Sequence, residues 1–381
     1  MPAAPSVVVV GAGAFGGWTA LYLLRHGARV TLIDAWGPGN SRASSGGETR
    51  IIRGGYGANQ PYTRMTARAL ELWSNHERLW QRRFLYRIGV LWMASEDDSF
   101  ERGSLAELAS AKISFEELSL RKLTQRWPQI NFDGIKWAVL ETGSGYLTAR
   151  SACQAVVEGF IAEGGRYIQA AVVNQELDNQ DWTGLQLCDG SELNGDKFVF
   201  ACGPWMGKLF PRVIGDRVSV TKQDMFFFGT PYAENRYDET QLPVWADHRG
   251  HFFYGIPGNQ GRGFKITDDT RGPRFDPTCG ERVISWELLD EVRQYMAFRF
   301  PGMANSPLVE TRVCQYENSP DTHFIIDRHP CREDVWLLGG GSGHGFKHGP
   351  VVGEMVAGWI VHEKEADPLF QLARFNPTEA G

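Results

Sequence analysis

The chain has 381 residues, of which 42% are hydrophobic and 22% are charged. This composition is that of an ordinary folded protein, and it excludes a disordered, collagen-like or disulfide-stapled chain. The net charge of −6 provides no global basic field for a polyanion, so nucleic acid is not an expected partner.

The six cysteines are scattered and form no C-x-x-C pair, so neither a zinc ribbon nor a dithiol redox motif is indicated, and we expect no metal site. A reducing, cytoplasmic compartment is the simplest interpretation. No stretch approaches the ~20 apolar residues of a membrane-spanning helix, so no membrane contact is expected. The short apolar run at 6–12 lacks preceding basic residues and indicates a strand, not a signal peptide.

The first predicted elements form a βαβ unit. Strand Val7–Val10 leads into a glycine-rich turn at 11–16, which is followed by a helix over Trp18–His26 and a second strand over Arg29–Ile33. This order, with G-x-G-x-x-G at the turn, is typical of dinucleotide-binding proteins. The amino end of the helix would bind the phosphates through its free N–H groups and its dipole.

Each residue of the motif has an expected task. Gly11 allows the turn, Gly13 allows close approach of the pyrophosphate, and Gly16 allows the helix to pack on the strand. Asp34, at the end of the second strand, is placed to accept hydrogen bonds from a ribose hydroxyl and disfavours NADP. The motif alone leaves NAD and FAD open.

Further along the chain, helical and strand patterns alternate without a clean repeat. The predicted helices are Tyr62–Gln81, Arg150–Glu163, Cys279–Arg299 and Pro350–His362. The predicted strands are Tyr167–Val173, Leu185–Cys188, Lys197–Ala201, Asp224–Phe228, Phe252–Ile256, Gly263–Thr267 and Val335–Leu338. Strand-like runs separated by Gly, Pro and Asn turns indicate an antiparallel sheet between 218 and 267.

A second glycine-rich loop, 339–345, follows the last strand and precedes the last helix. Two such loops at opposite ends of the chain favour one long cofactor held at both ends, and FAD is long enough. The predicted fold class is α/β with α+β elements: a Rossmann-like FAD-binding domain and an interleaved antiparallel-sheet substrate domain. The expected boundaries are 1–80, 145–215 and 320–381 for the first, and 81–144 and 216–319 for the second.

Five segments, in chain order, carry a resemblance to a known family. They are Asp34-Ala35, 46–53 (GGETRIIR), 312–316 (RVCQY), 320–327 (PDTHFIID) and 343–347 (GHGFK). Together they resemble the monomeric sarcosine oxidase family of the glycine/D-amino-acid oxidase superfamily, which also contains N-methyltryptophan oxidases and fructosyl-amino-acid oxidases. The match extends over nearly the whole chain.

The resemblance implies a set of cofactor contacts. Cys314 matches the cysteine that bonds covalently to the flavin 8α-methyl carbon, and a nearby positive charge would help such a thiolate. Lys265 matches the lysine over the flavin face that activates O2, where a buried ammonium stabilises developing negative charge. The implied FAD-binding residues are Gly11, Gly13, Gly16, Asp34, Thr49, Arg50, Cys314, Gly343, Gly345 and Lys347.

The resemblance also implies a substrate pocket. Arg53 and Lys347 match the cations that hold the substrate carboxylate, and Arg50 matches the arginine that tunes the flavin. Tyr254 and Tyr316 match its aromatic wall. The implied catalytic residues are Lys265, Arg50, Tyr254 and Tyr316.

Two positions depart from the sarcosine-type pattern. Asp269 stands where those enzymes have a histidine, and an acid there would favour a substrate with an extra cation or several hydroxyls. Trp245 replaces a smaller residue and would reshape the substrate pocket. Both put sarcosine itself in doubt.

The leading hypothesis is an FAD-dependent oxidase of secondary amines of amino acids. Hydride passes to flavin N5, the imine hydrolyses, and O2 becomes hydrogen peroxide. The alternatives are a fructosyl-amino-acid oxidase, a flavin amine dehydrogenase with another electron acceptor, an NAD-dependent dehydrogenase and a non-catalytic flavoprotein. The expected partners are a small amine and O2, and the resemblance implies a monomer.

Overall fold

The structure is a computed structural model that describes residues 4–58, 61–173, 177–179, 182–248 and 251–375. The ends of the predicted FAD-binding domain, 1–3 and 376–381, lie outside these residues. The described residues form the α-helices α1 (Ala14–Arg25), α2 (Pro61–Trp80), α3 (Ser99–Ser110), α4 (Leu120–Arg126), α5 (Ala149–Ala162), α6 (Met206–Leu209), α7 (Trp286–Arg299) and α8 (Gly349–Val361). Their strands are β1 (Ser6–Val10), β2 (Arg29–Asp34), β3 (Thr49–Ile52), β4 (Leu85–Tyr86), β5 (Val90–Ala94), β6 (Phe115–Ser119), β7 (Trp137–Glu141), β8 (Gly145–Thr148), β9 (Arg166–Gln169), β10 (Leu185–Gln186), β11 (Glu192–Leu193), β12 (Lys197–Phe200), β13 (Ser219–Phe228), β14 (Val244–Asp247), β15 (Phe253–Ile256), β16 (Phe264–Asp268), β17 (Leu308–Asn318), β18 (Ile325–His329) and β19 (Arg332–Gly339).

The first sheet has six strands in the order β18-β19-β12-β1-β2-β9. Its pairings are parallel except for the edge strand β18, which runs antiparallel to β19. Val7 and Val9 face a core shared with α1, α5 and α8, while Val8 and Val10 face a second core on the other side. Because β1 is covered on both faces, its sequence is continuously apolar. The predicted βαβ unit is confirmed as β1–α1–β2.

The second sheet has eight strands in the order β17-β13-β16-β15-β14-β5-β7-β6. Neighbours are antiparallel except for β14 and β5. The antiparallel sheet predicted at 218–267 is therefore confirmed, and it continues into β5, β6 and β7, which the pattern did not predict. The strand predicted over 224–228 begins at Ser219 because it pairs with β17 along its whole length. A smaller sheet, β3-β8-β4, contributes Leu147 to a core shared with the first sheet and Tyr146 to a core shared with the second.

The helix predicted over Cys279–Arg299 is shorter than expected and begins at Trp286. Ser285 is its N-cap, since its Oγ accepts the N–H of Leu288 at 3.2 Å. Before the cap, Asp276 Oδ1 accepts the N–H of Cys279 at 3.1 Å and holds a turn that cannot belong to the helix. The prediction for 279–285 was therefore wrong.

Two predicted strands are also shorter than expected. The strand predicted over 167–173 leaves the first sheet after Gln169, and the strand predicted over 185–188 ends at Gln186. Beyond these ends, an isolated antiparallel bridge pairs Val172 with Leu187.

The boundaries of the two interleaved domains stay a prediction. The strands of the six-stranded sheet come from 6–34, 166–200 and 325–339, and those of the eight-stranded sheet from 90–141 and 219–318. Across the described residues, none of the helices combines the length and the apolar character needed to cross a lipid bilayer.

Candidate functional site

A long cleft lies over the carboxyl ends of the parallel strands, where open α/β sheets bind their ligands. Its wall contains Val10 and Asp34 at the ends of β1 and β2, Ala201 after β12, and Gly339 at the end of β19. The cleft holds about 1370 Å³ of empty space, counting the part open to solvent. Its position and length suit a dinucleotide.

Each glycine of the turn at 11–16 suits its position for a different structural reason. Gly11 has φ of +106°, and a Cβ there would lie 2.3 Å from the carbonyl oxygen of Ala201. A Cβ on Gly16 would lie 1.9 Å from the oxygen of Gly11, so α1 could not pack this close with any other residue. Gly13 meets only Ser45 Oγ, at 3.4 Å, and faces the cleft. The cleft therefore contains a cradle that side chains would fill.

The carboxylate of Asp34 is engaged by the backbone at the edge of this cleft. Its Oδ2 accepts the N–H of Ala12 at 2.8 Å, and its Oδ1 accepts those of Trp36 and Gly37 at 2.9 and 2.8 Å. Burial raises the pKa of Asp34, and the three N–H groups oppose that shift. Asp34 thus shapes the loop after β2, and a ribose contact stays a prediction.

A second cavity opens beside the cleft, and the two share walls formed by Arg50, Tyr316, Ser342, Gly343 and Phe346. The predicted site residues that line this cavity are Arg50, Arg53, Tyr254, Lys265, Asp269, Cys314, Tyr316, Gly343 and Lys347. Gly345 lines the cleft only, and Thr49 is buried outside both walls. The fold therefore brings together residues from β3, β15, β16, β17 and the loop at 339–347.

Trp245 does not line either cavity, so its predicted place in the substrate pocket was wrong. Side chains alternate along β14, and Ala246 faces the second cavity. Trp245 points to the opposite face of the sheet, where its ring is fully buried and stacks on Phe264 and Tyr295. It is a core residue.

Cys314 lines the second cavity next to Arg50, which belongs to the wall that the two cavities share. Its side chain is buried, and Arg50 Nη2 donates to its sulfur at 3.3 Å and to the carbonyl oxygen of Ser44 at 2.6 Å. The guanidinium thus has a fixed orientation and places positive charge at the sulfur. The neighbouring cation expected for a reactive thiolate is Arg50.

Lys265 is 2% exposed and lines the second cavity. Its Nζ lies 5.6 Å from the centre of the Tyr254 ring. Burial, helped by the charge of Arg50, lowers the pKa of Lys265 to about 7. This amine is therefore poised between its charged and neutral forms near neutral pH.

Arg53 and Lys347 form a pair of cations at one end of the second cavity. Lys347 Nζ donates to the carbonyl oxygen of His344 at 2.8 Å, and Arg53 donates to that of Gly55. Burial and the charge of Arg53 hold the pKa of Lys347 well below its usual range. Within the described part of the chain, no carboxylate forms an ion pair with either cation. Half-buried Arg53 and buried Lys347, placed side by side without such a partner, favour an anionic ligand.

Asp269 has partners of its own. Tyr316 donates its hydroxyl proton to Asp269 Oδ1 at 2.8 Å, and Arg271 Nη1 lies 3.5 Å from Oδ2. Burial raises the pKa of Asp269, and Arg271 opposes that shift. Because Tyr316 and Arg271 already compensate the charge of Asp269, this residue is weaker support for a cationic substrate than the sequence alone indicates.

Several residues of this site escaped the sequence analysis. Tyr56 and Trp92 line the cavity beside the cations. Glu141, fully buried at the end of β7, accepts the N–H groups of Gly54 and Gly55 at 2.7 and 2.8 Å and so fixes the chain next to Arg53. The one local signal for Glu141 was its position as a single acidic residue at the end of an apolar strand.

The chain is similar to known proteins over most of its length. The family model for FAD dependent oxidoreductases (DAO) matches residues 6–359. Monomeric sarcosine oxidase of Bacillus sp. (strain NS-129) is 30% identical over 355 residues, which is 92% of this chain and 91% of that protein. N-methyl-L-tryptophan oxidase of Escherichia coli (strain SMS-3-5 / SECEC) is 27% identical over 97% of this chain and 99% of that protein.

Solved structures show the same fold. L-proline dehydrogenase from P. horikoshii covers 98% of both chains with a TM-score of 0.84 and 21% identity. The fructosamine oxidase Amadoriase II from Aspergillus fumigatus covers 97% of this chain and 89% of its own, with a TM-score of 0.79 and 21% identity.

Proposed function

The chain belongs to the DAO family of FAD-dependent oxidoreductases, and from that premise we propose that it is an oxidase of secondary amines of amino acids, of the sarcosine or N-methyl amino acid type. The observation that carries this proposal is the cation pair of half-buried Arg53 and buried Lys347, which lines one cavity with Cys314 and Gly343 and has no carboxylate in an ion pair with it among the described residues. An amino acid carboxylate is the small anion that suits such a pair.

FAD fits the long cleft on the chain's own features. The glycine turn at 11–16 leaves room for the pyrophosphate, and the start of α1 directs N–H groups towards it. Cys314 lines the second cavity beside Arg50, which faces both cavities, so we propose that Cys314 bonds to the flavin. The charge of Arg50 at the sulfur supports this assignment.

The chain's residues position the substrate and control charge. Arg53 and Lys347 hold the carboxylate, and Tyr254 and Tyr316 form walls that exclude water from the amine. Bound FAD would supply the redox chemistry: oxidation of the amine to an imine by hydride transfer from the carbon next to nitrogen, hydrolysis of the imine by water, and transfer of the two electrons to O2 to give hydrogen peroxide. Lys265 in its charged form stabilises the negative charge that develops on oxygen.

The same observations address the alternatives. Lys265 favours an oxidase over a dehydrogenase with another acceptor.

We also propose a monomer in a reducing, cytoplasmic compartment. The similarity to a monomeric sarcosine oxidase supports the monomer, and six cysteines without a disulfide support the reducing compartment.

An anaerobic spectral titration tests the proposal. The purified protein is titrated with sarcosine, a bulkier N-methyl amino acid and a fructosyl amino acid, and the visible flavin band is recorded. We expect an N-methyl amino acid to bleach the band, and air to restore it with release of peroxide. Acid precipitation should leave the colour in the protein pellet. A flavin band that no N-methyl amino acid bleaches would contradict the proposed substrate class.

A further inference from the structure

The ring of Tyr56 lies against both cations of the proposed carboxylate site. The guanidinium carbon of Arg53 is 4.3 Å from the ring centre, and Lys347 Nζ is 5.1 Å from it. Both distances are within the range in which the electron-rich face of an aromatic ring attracts a cation. Two like charges that would repel each other thus have a common attractive neighbour.

Hydrogen bonds fix the orientation of this ring. His344 Nε2 faces the carbonyl oxygen of Thr322 at 3.0 Å, so that nitrogen carries the proton and Nδ1 is an acceptor. Tyr56 donates its hydroxyl proton to this Nδ1 at 3.3 Å. His348 Nε2, 2.9 Å from the same hydroxyl, then donates to its oxygen.

This is the arrangement in which every polar hydrogen of the three side chains has an acceptor. It leaves His348 Nδ1 as a buried lone pair without a partner. It also requires neutral imidazoles. Burial, together with the charge of Lys347, holds the pKa of both His344 and His348 well below the usual range, so both rings are neutral near pH 7.

Packing immobilises the ring further. Tyr62 lies 5.2 Å from the Tyr56 ring centre, and the His344 and His348 rings lie 5.5 and 6.0 Å from it. On the other side of the chain, Glu141 holds the backbone of Gly55, the residue before Tyr56. The ring is therefore a rigid surface that can restrict the movement of the long side chains of Arg53 and Lys347.

The geometry points to Tyr56 as a positioning residue whose ring holds Arg53 and Lys347 in place for the substrate carboxylate. This inference rests on the proposed function, since it assigns the ring a task in carboxylate binding. The contribution belongs to the aromatic face and not to the hydroxyl, which only orients the ring. A change in ring electronics at constant shape should therefore alter carboxylate affinity.

The ring should also affect the pH range of binding. The charged and titratable groups facing Lys347 are Arg53, Glu141, Asp269, His344 and His348. The carboxylate binds the charged form of Lys347, so affinity falls as pH rises through the pKa of this amine. A ring that no longer attracts cations should move this loss of affinity to lower pH.

The test uses the flavin-loaded holoenzyme and acetate as the carboxylate probe, with binding followed by the change in the flavin spectrum. Tyr56→Phe should bind acetate within about threefold of the wild type because the ring remains. Tyr56→pentafluorophenylalanine keeps the shape of the ring but reverses its quadrupole, so that the ring face no longer attracts cations. The dissociation constant of acetate should rise about tenfold, and the pH at which half of the affinity is lost should be lower. Flavin content should stay the same.

Tyr86 provides the matched control. Arg83 lies 4.2 Å from its ring centre, but this pair lines neither cavity. The same two replacements there should leave acetate affinity unchanged. Equal affinities of the two Tyr56 variants would overturn the inference and leave the proposed function standing. A wild-type holoenzyme that binds acetate no better than neutral acetamide would contradict the carboxylate site itself, and with it both proposals.

Discussion

Glu317 is a carboxyl group in the wall of the long cleft, and no cationic side chain among the described residues forms an ion pair with it. It is 6% exposed, and its Oε1 has no hydrogen-bond partner in the structure. Burial raises the pKa of Glu317 from 4.5 to about 8, and the N–H groups of Gly340 and Gly341 only partly oppose this shift. At neutral pH the folded protein therefore keeps this proton, whereas the unfolded chain releases it.

This residue predicts a pH dependence of stability with a definite sign. Between pH 4.5 and 8 the folded state binds more protons at this position, so its stabilising contribution is complete below pH 4.5 and is lost as pH rises to about 8. The 3.5-unit shift (8 − 4.5) corresponds to an upper limit of about 5 kcal/mol. Glu317→Gln removes the titration, so the wild-type Tm should fall relative to that of the variant between pH 5 and pH 9.

The exposed Glu333, on β19, provides the control for this measurement. Glu333→Gln should follow the wild-type Tm at every pH. Parallel curves of Tm against pH for the wild type and Glu317→Gln would show that burial does not raise the pKa of this carboxyl group.

At the scale of elements, α8 contains two glycines in opposite situations. A Cβ on Gly353 would lie 2.6 Å from the backbone carbon of Trp18 in α1, so the two helices pack with no room between them. A Cβ on Gly358, five residues further along the same helix, meets nothing within 4 Å. One glycine is required by packing, while the other only adds backbone entropy to the unfolded state.

Alanine substitutions at these glycines should therefore have opposite signs. Gly358→Ala should stabilise the protein by about 0.5–1 kcal/mol, because alanine is the better helix former. Gly353→Ala should destabilise it by about 1–3 kcal/mol, because the new methyl group pushes α8 away from α1. Denaturant unfolding of both holoproteins checks this. Stabilisation of equal size by both substitutions would mean that helix propensity, and not packing, decides the outcome.

Elements with a local signal were predictable from the sequence. The β1–α1–β2 unit has a continuous valine run, a glycine turn and a helical period within 34 residues, and all three signals are local. The predicted start of α7 was wrong because the side chains of Ser285 and Asp276 accept hydrogen bonds from backbone N–H groups. Such bonds favour a cap or a turn over a helix, and the hydrophobic period does not show them.

The orientation of a strand side chain is a different kind of problem. Alternation along β14 shows that Trp245 and Ala246 face opposite sides, but which side is the pocket depends on pairing with β5 and β15. Those partners are distant in the chain. Tyr56 was missed for a related reason, since its value lies in contacts with Lys347 and His348, nearly 300 residues away.

At the scale of the whole molecule, the second cavity, which is the proposed substrate site, is lined by residues from three different sheets. Arg53 follows β3 of the small sheet, Lys265 lies on β16 of the eight-stranded sheet, and Lys347 follows β19 of the six-stranded sheet. The protein has a net charge of −6, yet it gathers these cations in one cavity. Like charges brought together in this way cost stability, and a bound anion relieves that cost.

A carboxylate ligand should therefore stabilise the entire fold and not one segment. At 100 times the dissociation constant, acetate should add about 2.7 kcal/mol to the free energy of unfolding of the holoprotein. The resulting rise in Tm should become smaller as pH increases, because the pKa of Lys347 lies below its usual range and the neutral amine no longer attracts the anion.

Lys347→Met separates this linkage from a general salt effect. The variant should lose most of the rise in Tm, and chloride at the same ionic strength should produce no rise in either protein. An equal rise in the wild type and in Lys347→Met would place the acetate elsewhere. If the rise disappears in the variant, one ammonium group that follows the last strand couples ligand binding to the stability of sheets formed far earlier in the chain.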